Sequence, residues 1–385
     1  MKKFLILFLV FILLTGCGAE AVQPSPEPVE PPAVEPVSPP EPEEPTEPEK
    51  TPAEALLETM TLEEKVGQLF FVHCPATNAA EDVTTYHLGG YILFGRDTKN
   101  KTANELIQTI ASYQSAAKIP LLIGADEEGG TVARISSNPH LRASRFPNPR
   151  KLWQAGTVTA DAHEKDLLLK AMGVNVNLAP VADVSTNPKD FIYDRTTGEG
   201  VETAQQYVTQ VVEVMCADGM GSVLKHFPGY GSNADTHTGV ALDERPLEQF
   251  QQVDFLPFQA GFAAAEAAGG PTPAVLMNHN IVTAMDPDLP ASLSPAVHAV
   301  LRDELHFGGV IMTDDLAMEA VQSYAEGGSA AVLAIQAGND LVLTTDYRTQ
   351  IPKVLEAVAD GTLDEALINA ACLRVLTWKM ELGLI

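Results

Sequence analysis

Four places in this 385-residue chain set polar or ionisable side chains directly after short apolar runs. Asp126 opens Asp126-Glu127-Glu128-Gly129-Gly130, and Lys225-His226 leads into Phe227-Pro228-Gly229. Asn278-His279 closes a run that begins at Ala274, and Asp314-Asp315 follow Val310–Thr313. A further polar group, Asp235-Thr236-His237, comes shortly after His226. Carboxylates can act as nucleophiles, and an imidazole can give and take a proton near neutrality. Zinc ligation is a competing use of His226, Asp235 and His237, but their spacing fits none of the common zinc signatures. Structural uses compete too. Asp314-Asp315 can cap a helix N-terminus, and 233–238 is rich in turn formers. One charged strand end means little; four together argue for a site.

The elements that must position these groups repeat along the chain. Gln68–Val72, Gly90–Phe94, Leu121–Ala125, Val174–Leu178, Val223–His226, Ala274–Asn278, Val310–Thr313 and Asp340–Leu343 are short runs rich in Val, Ile and Leu. They are bounded by Gly, Pro or Asp and separated by helical stretches, the pattern of parallel strands buried on both faces. Eight such units predict an α/β protein built as a single (β/α)8 TIM-type barrel, although a doubly wound sheet shares the local pattern. Barrel topology brings residues beyond the carboxyl ends of the strands to one face, where the polar groups above would meet. Thr61 with Glu64 and Thr362 with Glu365 have capping-box spacing. Ser294-Pro295 reads as an N-cap and first-turn proline before a helix over Ala296–Leu305, and a last helix runs from about Asp364 to Leu382.

Lys225-His226-Phe227-Pro228-Gly229 followed by Asp235-Thr236-His237 resembles the signature of glycoside hydrolase family 3, in its β-N-acetylglucosaminidase branch. Asp126–Gly130 with Arg134, Asp194-Arg195, and Val310–Met318 match the same pattern in the same order, from about Leu56 to Ile385. The resemblance implies a retaining exo-β-N-acetylglucosaminidase acting on muropeptides, peptidoglycan fragments or chitooligosaccharides. Retaining hydrolysis needs an attacking carboxylate and a proton donor at the leaving oxygen. By resemblance, Asp314 is the nucleophile, with a helix expected after it. His237, oriented by Asp235, is the acid/base in place of a carboxylic acid. Asp126, Arg134, Arg195, Lys225 and His226 would hold the sugar hydroxyls and acetamido group. No metal or other cofactor is implied. Tyr230, Thr131 and Thr196-Thr197-Gly198-Glu199 depart from the family pattern beside the sugar pocket, without removing a catalytic group. Phosphorolysis, another family 3 β-glycosidase activity, and a non-catalytic sugar-binding lipoprotein are the alternative functions.

Residues 1–17 read as a lipoprotein signal: Lys2-Lys3, an apolar run Phe4–Leu14, then the lipobox-like Leu14-Thr15-Gly16-Cys17. Cys17 is the expected lipidation site, which would tie an extracytoplasmic enzyme to a bacterial membrane. Residues 18–52 are rich in Pro and Glu and cannot bury enough apolar surface to fold, so they read as an extended spacer before a catalytic barrel over 53–385. The formal charge of −27 makes a nucleic-acid partner unfavourable. The expected partners are β-GlcNAc saccharides and the membrane, for a protein acting as a monomer. Cys74, Cys216 and Cys372 form no disulfide framework; one disulfide is conceivable, and buried free thiols are the expectation.

Overall fold

The computed structural model describes residues 50–233, 241–318, 321, 323–325 and 328–385. Cys17, the Pro/Glu segment up to Glu49 and Asp235–His237 lie outside the described residues, whereas the end of the expected spacer is structured, Thr51 capping helix Pro52–Glu58.

Eight strands carry the architecture: β1 (Phe70–His73), β2 (Gly90–Leu93), β3 (Leu122–Ala125), β4 (Val176–Asn177), β5 (Gly221–Phe227), β6 (Ala274–Met277), β7 (Ile311–Thr313) and β8 (Val342–Thr344). Each falls on one of the eight apolar runs. All pair in parallel, in the order β8-β1-β2-β3-β4-β5-β6-β7. The two ends of that order meet: Met312 bridges Leu341, and the Asp340 and Leu341 N–H groups donate to the Ile311 carbonyl at 2.8 and 3.1 Å. This is a (β/α)8 barrel and not an open sheet.

The strands read as unbroken apolar runs because both faces are covered. Phe71, Leu122, Val223, Leu276, Met312 and Leu343 form an inner cluster with Trp378. Their neighbours Phe70, Ile123, Leu224, Val275, Ile311 and Val342 belong to the larger cluster shared with the helices. Phe71 needs Gly124 opposite it: a Cβ there would come within 2.4 Å of Phe71 Cζ. Truncating such an enclosed ring to alanine costs about 3–5 kcal/mol.

Local capping follows the sequence at two of three places. Thr61 Oγ1 accepts from Glu64 N while Glu64 Oε2 accepts from Thr61 N. Ser294 Oγ accepts from Val297 N at 3.1 Å ahead of helix Pro295–Ala299, which widens into a π turn over Val300–Glu304. The Thr362–Glu365 box does not form. Asp364 caps helix Glu365–Glu381 instead, and the Thr362 N–H is taken by Asp360 Oδ1 at 2.8 Å. A carboxylate directly before the first turn, favoured by the helix dipole, outcompetes a hydroxyl two residues earlier. No helix among the described residues is long and apolar enough to cross a membrane. The three described cysteines are free thiols, Cys74 and Cys372 buried and Cys216 half-buried.

Candidate active site

The carboxyl ends of the strands open on a cleft of about 410 Å³ lined by Asp126, Arg134, Arg195, Lys225, His226, Asp314 and Asp315 among others. Seven side chains named from sequence thus converge from β5 and from the chain just beyond β3, β4 and β7. His237 and Asp235 lie outside the described residues. The volume is at the small end of the range for ligand pockets, which suits one sugar ring better than a long chain.

On one side, cations and carboxylates alternate. Lys225 Nζ donates to Asp126 Oδ1 at 2.7 Å and lies 2.6 Å from Glu128 Oε1. Arg195 grips Glu128 with two hydrogen bonds, from Nε at 2.9 Å and Nη2 at 2.8 Å. Arg134 Nη2 donates to Asp126 Oδ2 at 3.0 Å, whereas its Nε is buried without a partner among the described residues. Such a donor loses its hydration unless a ligand satisfies it. Burial alone would raise the Asp126 and Glu128 carboxyls. Lys225 with Arg134 at Asp126, and Arg195 with Lys225 at Glu128, reverse this and hold both below the usual carboxylate range. The strand that presents Lys225 and His226 is locally irregular: its register against β6 shifts between Lys225 and Phe227, and the Lys225–His226 peptide is cis.

His226 sits behind this cluster. Its Nδ1 lies 2.6 Å from Asp183 Oδ2, and its Nε2 lies 3.0 Å from Arg195 Nη2. Arg195 can only donate, so the geometry fits a ring that donates from Nδ1 to Asp183 and accepts at Nε2. Both ring nitrogens are therefore engaged. The ring nonetheless lines the cleft, beside Arg195.

The opposite wall carries Asp314 and Asp315. Beyond β7 the chain first makes a turn, with Met318 N donating to Asp315 O at 3.0 Å, and Val321 after it is helical. Asp315 N–H donates to Asp314 Oδ1 at 2.8 Å, and Asp314 N–H donates to the Met277 carbonyl at 2.9 Å. His73 Nε2 lies 3.0 Å from Asp315 Oδ2, and His279 Nε2 lies 3.0 Å from the Asp315 carbonyl oxygen. Burial would raise the Asp315 carboxyl, but His73 lowers it to a net downward shift. The His73 ring stacks on Phe94 with centroids 4.2 Å apart.

Four carboxylates line the cleft. Asp126 pairs with Lys225 and Arg134, Asp194 with Arg150, and Asp315 with His73. Among the described residues, no cation pairs with Asp314. It is a half-buried carboxylate that faces a ring of donors across the same cleft.

Sequence reasoning passed over three residues that shape this site. Glu128 was quoted in a motif without a role, yet it ties Lys225 to Arg195. Asp183 follows β4 after Pro180, and its carboxylate also accepts from the His226 and Tyr230 backbone N–H groups at 3.1 and 2.7 Å. His73 is the last residue of β1. The strand-end rule, applied to β1 and β4 as it was to the others, points to His73 and Asp183. Among the described residues, no group of three or more His, Cys, Asp or Glu converges to hold a metal.

Comparison with known proteins agrees with this architecture. The chain is 31% identical over 332 residues to "Beta-hexosaminidase LpqI" of Mycobacterium tuberculosis, covering 82% of each. It is 31% identical over 290 residues to a "Beta-hexosaminidase" of Xanthomonas campestris pv. campestris, covering 73% of this chain and 84% of that one. The solved glycoside hydrolase family 3 β-N-acetylglucosaminidase of Paenibacillus sp. str. FPU-7 superposes with a TM-score of 0.77 at 30% identity. That match covers 84% of this chain, which spans 63% of the Paenibacillus chain. The solved M. tuberculosis LpqI matches with a TM-score of 0.75 at 27% identity, over 85% of this chain and 96% of that one. Residues 61–378 match the glycosyl hydrolase family 3 N-terminal domain, and the chain belongs to glycosyl hydrolase family 3.

Proposed function

We propose that this protein is a retaining exo-β-N-acetylglucosaminidase with Asp314 as nucleophile and the His237–Asp235 pair as acid/base. One observation carries the assignment of Asp314: it is the cleft carboxylate without a cation against it among the described residues. A carboxylate tied by Lys or Arg has its lone pairs engaged, whereas Asp314 has no such cation against it among the described residues and can attack an electron-poor anomeric carbon. Relatives named β-hexosaminidase support the substrate class.

In this reading Asp314 attacks C1 as the bond from C1 to the leaving oxygen breaks. The departing electron pair is met by a proton from His237. His237 then takes a proton from water as the water oxygen bonds to C1 and the bond between C1 and Asp314 breaks. This restores the carboxylate and the imidazolium and retains configuration. Asp126, Lys225, Arg195 and Arg134 hold the terminal sugar, and His226 with Asp183 fixes Arg195. Muropeptides, peptidoglycan fragments and chitooligosaccharides are the proposed substrates. Cys17 would carry the lipid, with the Pro/Glu segment as spacer and 53–385 as catalytic barrel; replacing Cys17 by Ser should release the protein from membranes.

The test is turnover of p-nitrophenyl β-N-acetylglucosaminide against the β-glucoside, with and without phosphate. Release from the GlcNAc substrate alone, independent of phosphate, is expected. Acceleration by phosphate with a sugar-phosphate product would replace hydrolysis by phosphorolysis. Inertness of the folded protein toward both substrates would overturn the assignment.

A further inference from the structure

The cleft sets its charged groups at depth, beside the buried Ile92, Leu178, Leu276 and Leu343, and an exposed aromatic ring at its edge. Asp126 is 9% exposed and Lys225 2%, whereas Phe191, which lines the same cleft, is 40% exposed. Among the described residues it is the one aromatic side chain in the set of exposed large hydrophobics. Leaving that much ring in water forgoes burial that a neighbouring pocket could have supplied.

The ring is held in place. Ile192 beside it is fully buried and packs with Val181 and Tyr230. The turn before it is braced by Ser185 Oγ donating to Asp190 Oδ2 at 2.7 Å and by Asn187 Nδ2 donating to Asp190 Oδ1 at 2.8 Å. Phe191 leans on Tyr230 with centroids 5.5 Å apart and planes tilted by 49°. A braced aromatic offers contact area at little conformational cost.

We propose that Phe191 forms a subsite for the leaving group, stacking against the apolar face of a second sugar ring or an aryl aglycone. This rests on the exo-glycosidase reading. A terminal sugar held at the blind, charged end by Asp126 and Lys225 has its leaving group directed toward the mouth, where Phe191 stands. An aromatic platform at that point prefers substrates whose leaving group presents C–H or π surface over those with a small leaving atom.

The experiment compares the full chain with its Phe191→Ala and Phe191→Trp variants on three GlcNAc substrates: di-N-acetylchitobiose, the p-nitrophenyl glycoside and the β-glycosyl fluoride. Phe191→Ala should lower kcat/KM roughly threefold to tenfold on the first two. The fluoride, whose leaving atom cannot reach the ring, should stay unchanged, and Phe191→Trp should restore the preference. An equal loss on all three substrates would assign Phe191 to the terminal-sugar pocket and overturn the subsite. No loss on any would overturn it as well. Wild-type protein inert toward all three would instead bring down the reaction assignment, and the subsite with it.

Discussion

Replacing Glu128 by Gln keeps its shape and removes one buried charge from the centre of the site network. Glu128 accepts two hydrogen bonds from Arg195 and lies 2.6 Å from Lys225 Nζ. Hydrogen bonds to charged groups contribute about 1.5–3 kcal/mol each. A Gln carbonyl can keep one or two as weaker contacts, while its amide N–H2 must face a cation. A net loss of ~4 kcal/mol at pH 7 follows, in line with the cost of breaking a buried ion pair. The pH dependence sharpens the test. The ordinary glutamate value is 4.5, and Arg195 and Lys225 hold Glu128 well below it against the opposing effect of burial. A depressed carboxylate contributes fully above its unfolded pKa and progressively less as the pH falls toward its folded one. Below about pH 4.5 wild-type protein should therefore lose ~1.4 kcal/mol per pH unit from this group, a loss the variant lacks. Urea unfolding followed by fluorescence at pH 7, 5, 4 and 3 measures the gap directly. It should be widest at pH 7 and should narrow in acid. A gap under ~1 kcal/mol at pH 7, or one that stays constant to pH 3, would refute the reasoning.

Asp314→Ala should abolish turnover of a GlcNAc aryl glycoside while leaving the circular dichroism spectrum intact. In the wild type, a 5-fluoro-GlcNAc fluoride should add its sugar mass to the peptide containing Asp314; labelling elsewhere would reassign the nucleophile. Asp183→Asn removes the charge set against His226 Nδ1 and turns an N–H2 toward a backbone N–H, of His226 or of Tyr230, so the ring is held less firmly behind Arg195. KM should rise about tenfold, the effect of losing roughly one hydrogen bond to a charged group, with kcat changing less. A nitrogen-15 spectrum of the imidazole identical to that of the wild type would sink this account. Asp166 is buried, and burial with the nearby Asp218 carboxylate pushes its carboxyl up to about 8. The unfolded chain gives up that proton near pH 4, so stability falls as the pH rises from about 4 to 8. Asp166→Asn should gain on the order of 1–3 kcal/mol at pH 8 and nothing at pH 4, measured by urea unfolding at both. His237 variants should slow poor leaving groups most, and equal slowing across a series of aryl glycosides would remove its donor role.

Much of this architecture is written in local pattern. Strands buried on both faces must be short, continuous apolar runs, so Phe70–His73 through Val342–Thr344 can be found without coordinates. Barrel topology then brings their polar ends together, which is why Asp126, Lys225, His226 and Asp314 could be named as neighbours although they are far apart in the chain. Capping was legible at Thr61 and Ser294 because it depends on residues three apart. It failed at Thr362 because Asp364 competes for the same helix start.

What each group does at the site was decided only in three dimensions. Lys225 meets Asp126 across 99 residues of chain, and Arg195 meets Glu128 across 67. Charge attraction and hydrogen bonding act over about 3 Å between side chains on different strands, and no spacing within the sequence reports that distance. Hence the sequence named Asp126, His226, Asp314 and Asp315 but not the parts of His73, Glu128 and Asp183, and folding alone determined which groups were paired. Folding engaged both nitrogens of His226, set His73 against Asp315, and left Asp314 without a paired cation among the described residues.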